Sequence, residues 1–184
     1  ISLQKSHSIF ILDRSGVVPN DGVTHQGLFD IALFRPVPGL EIMSPVSAAD
    51  LKLCFEYALA ANGPVVIRYP KAACPQELPE FSQKVKRGKG ILLESQGKAT
   101  KNKYLIVTSG SMYQEAALAC REEAVKKIKT DIYIMRFIKP FNEEYFIDLA
   151  SQYKGILLIE DGVQTGGISE NLAGLLAKNK ILKT

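Results

Sequence analysis

What most constrains the fold of this chain is a recurring alternation of short apolar runs with helix-patterned segments. Ser8 to Leu12, Leu40 to Met43 and Pro64 to Ile67 are brief, apolar and bounded by proline, glycine or charge, as buried strands are. Between the last two, Ser47-Ala-Ala-Asp50 reads as a capping box with Asp in place of the usual Glu or Gln. The helix it opens carries Leu51, Cys54, Phe55, Ala58 and Leu59 on one face and stops at Asn62-Gly63. Leu28 to Leu33 is also apolar, but Pro36 and Pro38 break whatever it starts.

The alternation resumes at Tyr104 to Thr108, where Ser111 and Gln114 form a second capping box for a helix to about Lys127. A strand from Asp131 to Phe137, a helix capped by Asn142, a strand from Ile156 to Ile159 and a helix from Ile168 to Lys178 follow. Regular alternation of this kind predicts an α/β fold of two consecutive doubly wound, mainly parallel segments. From Pro70 to about Lys103 the periodicity fails, apart from one short strand at Gly90 to Glu94, so this stretch reads as a linker. The division expected is residues 1–82 and 83–184. With 184 residues, 46% of them hydrophobic, the chain can bury one good core or two small ones. Because it enters a strand almost at Ile1 and stops without a closing strand, it is expected to be a piece of a longer protein.

The polar chemistry gathers just after the first strand. Gly16, Pro19 and the Asn20-Asp21-Gly22 turn make Asp13 to Asp30 an irregular loop, and into it fall Arg14, Asp21 and His25. Ligands of open α/β sheets sit outside the carboxyl ends of strands. A second strand ends on Arg68-Tyr69-Pro70, so parallel pairing would place Arg14 and Arg68 at one edge. Guanidiniums there suit a phosphate or carboxylate. Histidine, which titrates near neutral pH, suits proton transfer. His7 precedes the first strand, belongs to no motif and reads as structural.

Other chemistries find little support. The net charge of +4 is mild, and the lysine groups at 84–89, 98–103 and 126–129 lack interleaved aromatics, so they read as solvated faces rather than a nucleic-acid surface. No apolar run approaches the roughly eighteen residues of a membrane span. Cys54, Cys74 and Cys120 are odd in number and widely spaced, which fits reduced thiols in a cytosol-like compartment. Glu160-Asp161 alone is a weak metal signal, and no P-loop, G-x-G-x-x-G or H-E-x-x-H occurs.

The run D-R-S-G-V-V-P-N-D-G-V-T-H-Q-G-L-F-D, with R-Y-P at 68–70 and M-R-F-I-K-P at 135–140, resembles the transketolase-like thiamine diphosphate enzymes. The resemblance covers nearly the whole chain and is strongest to the branch that condenses pyruvate with glyceraldehyde 3-phosphate. Two departures are Pro19, where glycine is usual, and the Ile-Ser-Glu that follows Gly166-Gly167. The resemblance implies the later pyrimidine-binding domain and most of the carboxy-terminal domain of such an enzyme. By implication Arg14 and Arg68 hold the aldehyde's phosphate, Asp21 bonds sugar hydroxyls, and His25 sits over the cofactor's reaction centre. It implies thiamine diphosphate with Mg2+ in the complete enzyme, a homodimer acting on small molecules in a bacterial cytoplasm or plastid, and a place in isoprenoid, thiamine and pyridoxal synthesis. The diphosphate-anchoring motif is absent from the sequence and the activating glutamate is expected upstream, so the isolated piece is expected to be inactive. The alternatives are a transketolase acting on sugar phosphates and a non-catalytic assembly domain.

Overall fold

The structure, a computed structural model, describes residues 1–95, 103–110, 112–122 and 128–181. Strands β1 (Ile9–Leu12), β2 (Glu41–Met43) and β3 (Val65–Arg68) form a parallel sheet in the order β1-β3-β2, with Leu12 beside Arg68 and Met43 beside Ile67. The second sheet, in the order β4-β6-β5-β8, pairs β5 (Lys103–Thr108) in parallel with β6 (Lys129–Ile134) and β8 (Gly155–Leu158). Its edge strand β4 (Ile91–Leu93) runs antiparallel to β6. The α/β class with two mainly parallel sheets is as the sequence predicts.

The predicted single strand from Asp131 to Phe137 is two strands in different sheets. β6 ends at Ile134, and after Met135-Arg136 the chain crosses to add β7 (Phe137–Lys139) antiparallel to β2 of the first sheet. Met135, Arg136, Phe137 and Ile138 are all buried, so the crossing runs through the interior. One core cluster accordingly joins Ile42 and Val66 of the first sheet to Ile138, Leu105 and Leu172. The linker is also anchored: a 3-10 turn at Pro79–Ser82 sinks Phe81 completely, edge-to-face with Tyr113.

Among the described residues five helices lie with the sheets: α1 (Asp30–Phe34), α2 (Ala48–Leu59), α3 (Met112–Ala119), α4 (Glu143–Ser151) and α5 (Ile168–Lys178). Ser47 caps α2 by accepting the Asp50 N–H, while the Asp50 carboxylate turns inward to the Val46 N–H at 2.9 Å. Asn142 caps α4 through the Tyr145 N–H at 2.8 Å. The apolar face of α2 is narrower than predicted. Cys54 and Ala58 are buried and Leu51 is partly so, but Phe55 and Leu59 face outward. The predicted cap at Ser111, and the stretch 123–127 of its helix, lie outside the described residues; α3 itself ends at Ala119. His7 donates to the Ala58 carbonyl at 2.9 Å near the end of α2, a structural role as expected.

Arg136, in the crossing, meets Asp50 at 2.6 Å, and both are essentially without solvent. Removing one member of such a pair leaves an uncompensated buried charge. Arg136→Met is expected to cost about 3–5 kcal/mol of stability. Asp50→Asn combined with Arg136→Met should recover much of that loss, because Asn keeps an acceptor for Val46. Urea denaturation of both variants checks this, and equal losses would refute it.

Candidate functional site

The carboxyl edge of β1 and β3 is built as the sequence implies. After Leu12 the pairing continues through Tyr69 N–H to the Leu12 carbonyl and Ser15 N–H to the Tyr69 carbonyl, so the loop leaves β1 still attached to its neighbour. Gly16 and Gly27 then exchange both backbone hydrogen bonds at 3.0 Å. A side chain on Gly27 would strike the Arg14 carbonyl at 2.3 Å, and one on Gly16 would collide with Asp161. Both glycines therefore serve close approach.

Inside the loop Gln26 acts as a clip. Its amide oxygen accepts the Val18 N–H at 2.6 Å, and its nitrogen donates to the Val18 carbonyl at 3.1 Å. The clip folds the loop back on itself and turns Val23–His25 outward as a 3-10 turn. His25 is exposed, and its Nδ1 is engaged by the Thr24 hydroxyl at 3.0 Å. Pro19 is followed by Asn20 in the left-handed region, which supplies the turn a glycine would otherwise provide.

Arg14 and Asp21 come together. Arg14 Nε donates to Asp21 at 2.8 Å, and Lys71 Nζ donates to the other carboxylate oxygen at 2.7 Å. The Asp21 side chain is only 14% exposed while Lys71 is 51% exposed, so one carboxylate is shared between an inner and an outer cation. Lys71 and Arg14 hold the Asp21 carboxyl below the usual carboxylate range. Lys71 escaped the sequence reading, although it stands immediately after R-Y-P at the same strand end.

Arg68 differs from expectation in its surroundings. It lies at the same edge, but its side chain is 2% exposed and sits between Asp30 at 3.5 Å and Asp161 at 3.6 Å. Burial, with the neighbouring Asp161 charge, pushes the Asp30 carboxyl up while Arg68 pulls it down. The clasp joins the end of β3, the start of α1 and the end of β8. Its partners come from distant sequence, and no short-range pattern marked either of them. Glu160 next to it caps α5, accepting from Ile168 and Ser169 N–H groups at 3.0 Å each. This accounts for the helix start after Gly166-Gly167, and among the described residues no group of three His, Cys, Asp or Glu is placed to hold a metal ion.

Residues 1–76 match the family described as transketolase, pyrimidine binding domain, and residues 95–184 match transketolase, C-terminal domain. The 1-deoxy-D-xylulose-5-phosphate synthase of Treponema pallidum is 46% identical over 96% of this chain and 28% of its own length. The synthase of the same name from Lachnoclostridium phytofermentans is 31% identical over 93% of this chain and 27% of its own. The chain thus spans a little over a quarter of these relatives. A split-gene transketolase solved as an inactive beta4 tetramer superposes with a TM-score of 0.82 at 24% identity, over 97% of this chain and 55% of that one. A transketolase mutant from Pichia stipitis gives 0.65 at 16% identity, over 97% and 31%. At these identities the two structures establish the fold.

The shared carboxylate makes a pH prediction. A lowered carboxyl pKa contributes stability that is present above the ordinary carboxylate range and lost as pH falls through the lowered value. In a carbon-detected NMR titration Asp21 should therefore protonate below the ordinary aspartate range, and Lys71→Ala should bring it up towards that range. An ordinary Asp21 titration in the unaltered protein would rule out the triad.

Proposed function

This chain belongs to the transketolase family, and on that premise we propose that it is the acceptor-binding portion of a 1-deoxy-D-xylulose-5-phosphate synthase. That enzyme joins pyruvate to glyceraldehyde 3-phosphate and releases carbon dioxide. The observation that carries the reading is the cluster of Arg14, Asp21 and Lys71 at the strand edge that also ends in Arg68. The names of the relatives support it. We place the boundary between the two domains at residues 82 and 83, and the complete enzyme as a homodimer in a bacterial cytoplasm or plastid.

In this proposal the aldehyde's phosphate enters between Arg14 and Lys71 and takes the place of the Asp21 carboxylate. Arg68 joins by exchanging one of its two carboxylates for the phosphate; contacts of 3.5 and 3.6 Å are looser than the 2.7–2.9 Å of strong charge-assisted bonds. Asp21, once released, accepts from a substrate hydroxyl. His25 is presented to solvent with Nδ1 fixed by Thr24, which leaves Nε2 to carry a proton to or from the aldehyde oxygen. Thiamine diphosphate, when bound to the complete enzyme, supplies an electron sink for decarboxylation. Because the sequence lacks the G-D-G motif followed some thirty residues later by Asn, its magnesium-diphosphate anchor in this proposal comes from other segments of the complete enzyme. The 184-residue chain alone should accordingly show no micromolar heat of binding with thiamine diphosphate and Mg2+; such a signal in calorimetry would defeat that part of the proposal.

The second reading, a transketolase acting on sugar phosphates, predicts transfer of two-carbon units from xylulose 5-phosphate and indifference to pyruvate. Kinetics of the full-length protein separate the two. In the synthase, Arg14→Ala or Lys71→Ala should raise the KM for glyceraldehyde 3-phosphate about ten- to a hundredfold, as loss of a charge-assisted bond of roughly 1.5–3 kcal/mol requires. The KM for pyruvate should change far less. His25→Ala should instead lower kcat by about a hundred- to ten-thousandfold. Equal weakening of both substrates by the cation variants would remove the phosphate site.

A further inference from the structure

The lysines at 84–89 read from sequence as a solvated face, but the fold turns them towards one another. Alternate residues of this stretch go to different places. Val85 packs against the core of the first sheet, and Arg87 pairs with Glu41 at 2.9 Å. Lys84 and Lys86 point the other way, and a turn closed by the Lys89 N–H to the Lys86 carbonyl at 3.0 Å brings Lys89 back beside them.

The result is a cavity of about 460 Å3 whose walls carry Lys84, Lys86, Lys89 and Arg136, together with Tyr145 and Leu92, and no carboxylate. Arg136 is fixed from behind by Asp50 and by the Phe81 carbonyl at 3.4 Å. Lys89 rests over the Tyr145 ring at 4.2 Å, held by an aromatic face rather than by an acid. Among the described residues none of the three lysines has a carboxylate partner. Arg136 is already compensated by Asp50, but the three lysines around the same concavity repel each other until an anion enters.

We propose that this cavity is a second anion site, separate from the strand-edge cluster, for a small organic phosphate or diphosphate. The volume lies within the range of small-molecule sites. Tyr145 and Leu92 provide an apolar wall for an organic group, and the single aromatic, already covered by Lys89, offers no stacking platform for a nucleic acid. Arg136 stands where the chain passes from one sheet to the other, so a bound anion would brace that crossing.

The test is calorimetric titration with sodium pyrophosphate at fixed ionic strength, with inorganic phosphate and a short oligothymidylate as parallel ligands. Saturable pyrophosphate binding is expected, weaker for phosphate. Two exposed lysines, each contributing up to about fivefold, should together be worth about tenfold in affinity. Lys84→Ala with Lys86→Ala should therefore weaken binding about tenfold, and Arg at both positions should restore it. Lys52→Ala with Lys154→Ala removes the same charge elsewhere and should leave affinity unchanged. Equal weakening in that control would mean general charge attraction and overturn the site. Binding indifferent to the lysines would locate the ligand at Arg14 and Lys71 instead, and oligothymidylate binding without pyrophosphate binding would mark a nucleic-acid surface; either refutes the proposal.

Discussion

The buried contact between Asp50 and Arg136 is the constraint on which the rest of this molecule depends. Arg136 belongs to the two-residue passage that leaves one sheet and enters the other, and Asp50 lies in the first turn of α2. Isolating two charges from water costs several kcal/mol each, and their attraction offsets that only when geometry and hydrogen bonding are good. Here the carboxylate also serves the Val46 N–H, and the guanidinium also serves the Phe81 carbonyl. The pair therefore ties the start of α2, the linker turn and the crossing to one point. A one-residue shift of β7 against β2 would expose the face that packs inward and separate these groups together.

Because the crossing is fixed, the two carboxyl-edge features are fixed as well. The end of β8 can deliver Asp161 to Arg68 only if the second sheet stands in a set relation to the first. Lys139 reinforces that relation by donating to the carbonyls of Arg35 and Val37, and Arg35 in turn donates to the Gly166 carbonyl at 3.1 Å. The Arg68 clasp is thus a product of how the sheets meet rather than of the R-Y-P segment itself.

What the sequence disclosed follows the same division between local and distant causes. The strand ending at Leu12, the helix Ile168–Lys178 and the cap at Asn142 are decided by neighbouring residues, and all were legible. The loop residues Arg14, Asp21 and His25 were legible too, because glycine, proline and an Asn-Asp-Gly turn announce irregular backbone. The split of Asp131–Phe137 was hidden, since its apolar residues are interrupted inside the run only by Arg136 and only a pairing partner far upstream divides it. Phe55 and Leu59 misled because helical spacing shows which residues share a face, not how wide the seat beneath them is. Asp30 and Asp161 were hidden as partners of Arg68 because no short-range pattern connects them.

The shared carboxylate of Asp21 also bears on how the proposed site would choose among anions. With Arg14 and Lys71 both engaged, an arriving ligand exchanges existing ion pairs for new ones instead of meeting bare cations. A monoanionic carboxylate such as that of pyruvate would replace like with like and gain little. A phosphate brings nearly two charges and three acceptor oxygens, enough to satisfy both cations at once. The hydroxyl beside it would give the displaced Asp21 a new partner. On this argument Asp21 sets selectivity in favour of the phosphorylated substrate while lowering the affinity for every anion. The competing carboxylate thereby sharpens the preference that two unpaired cations would already have for a dianion.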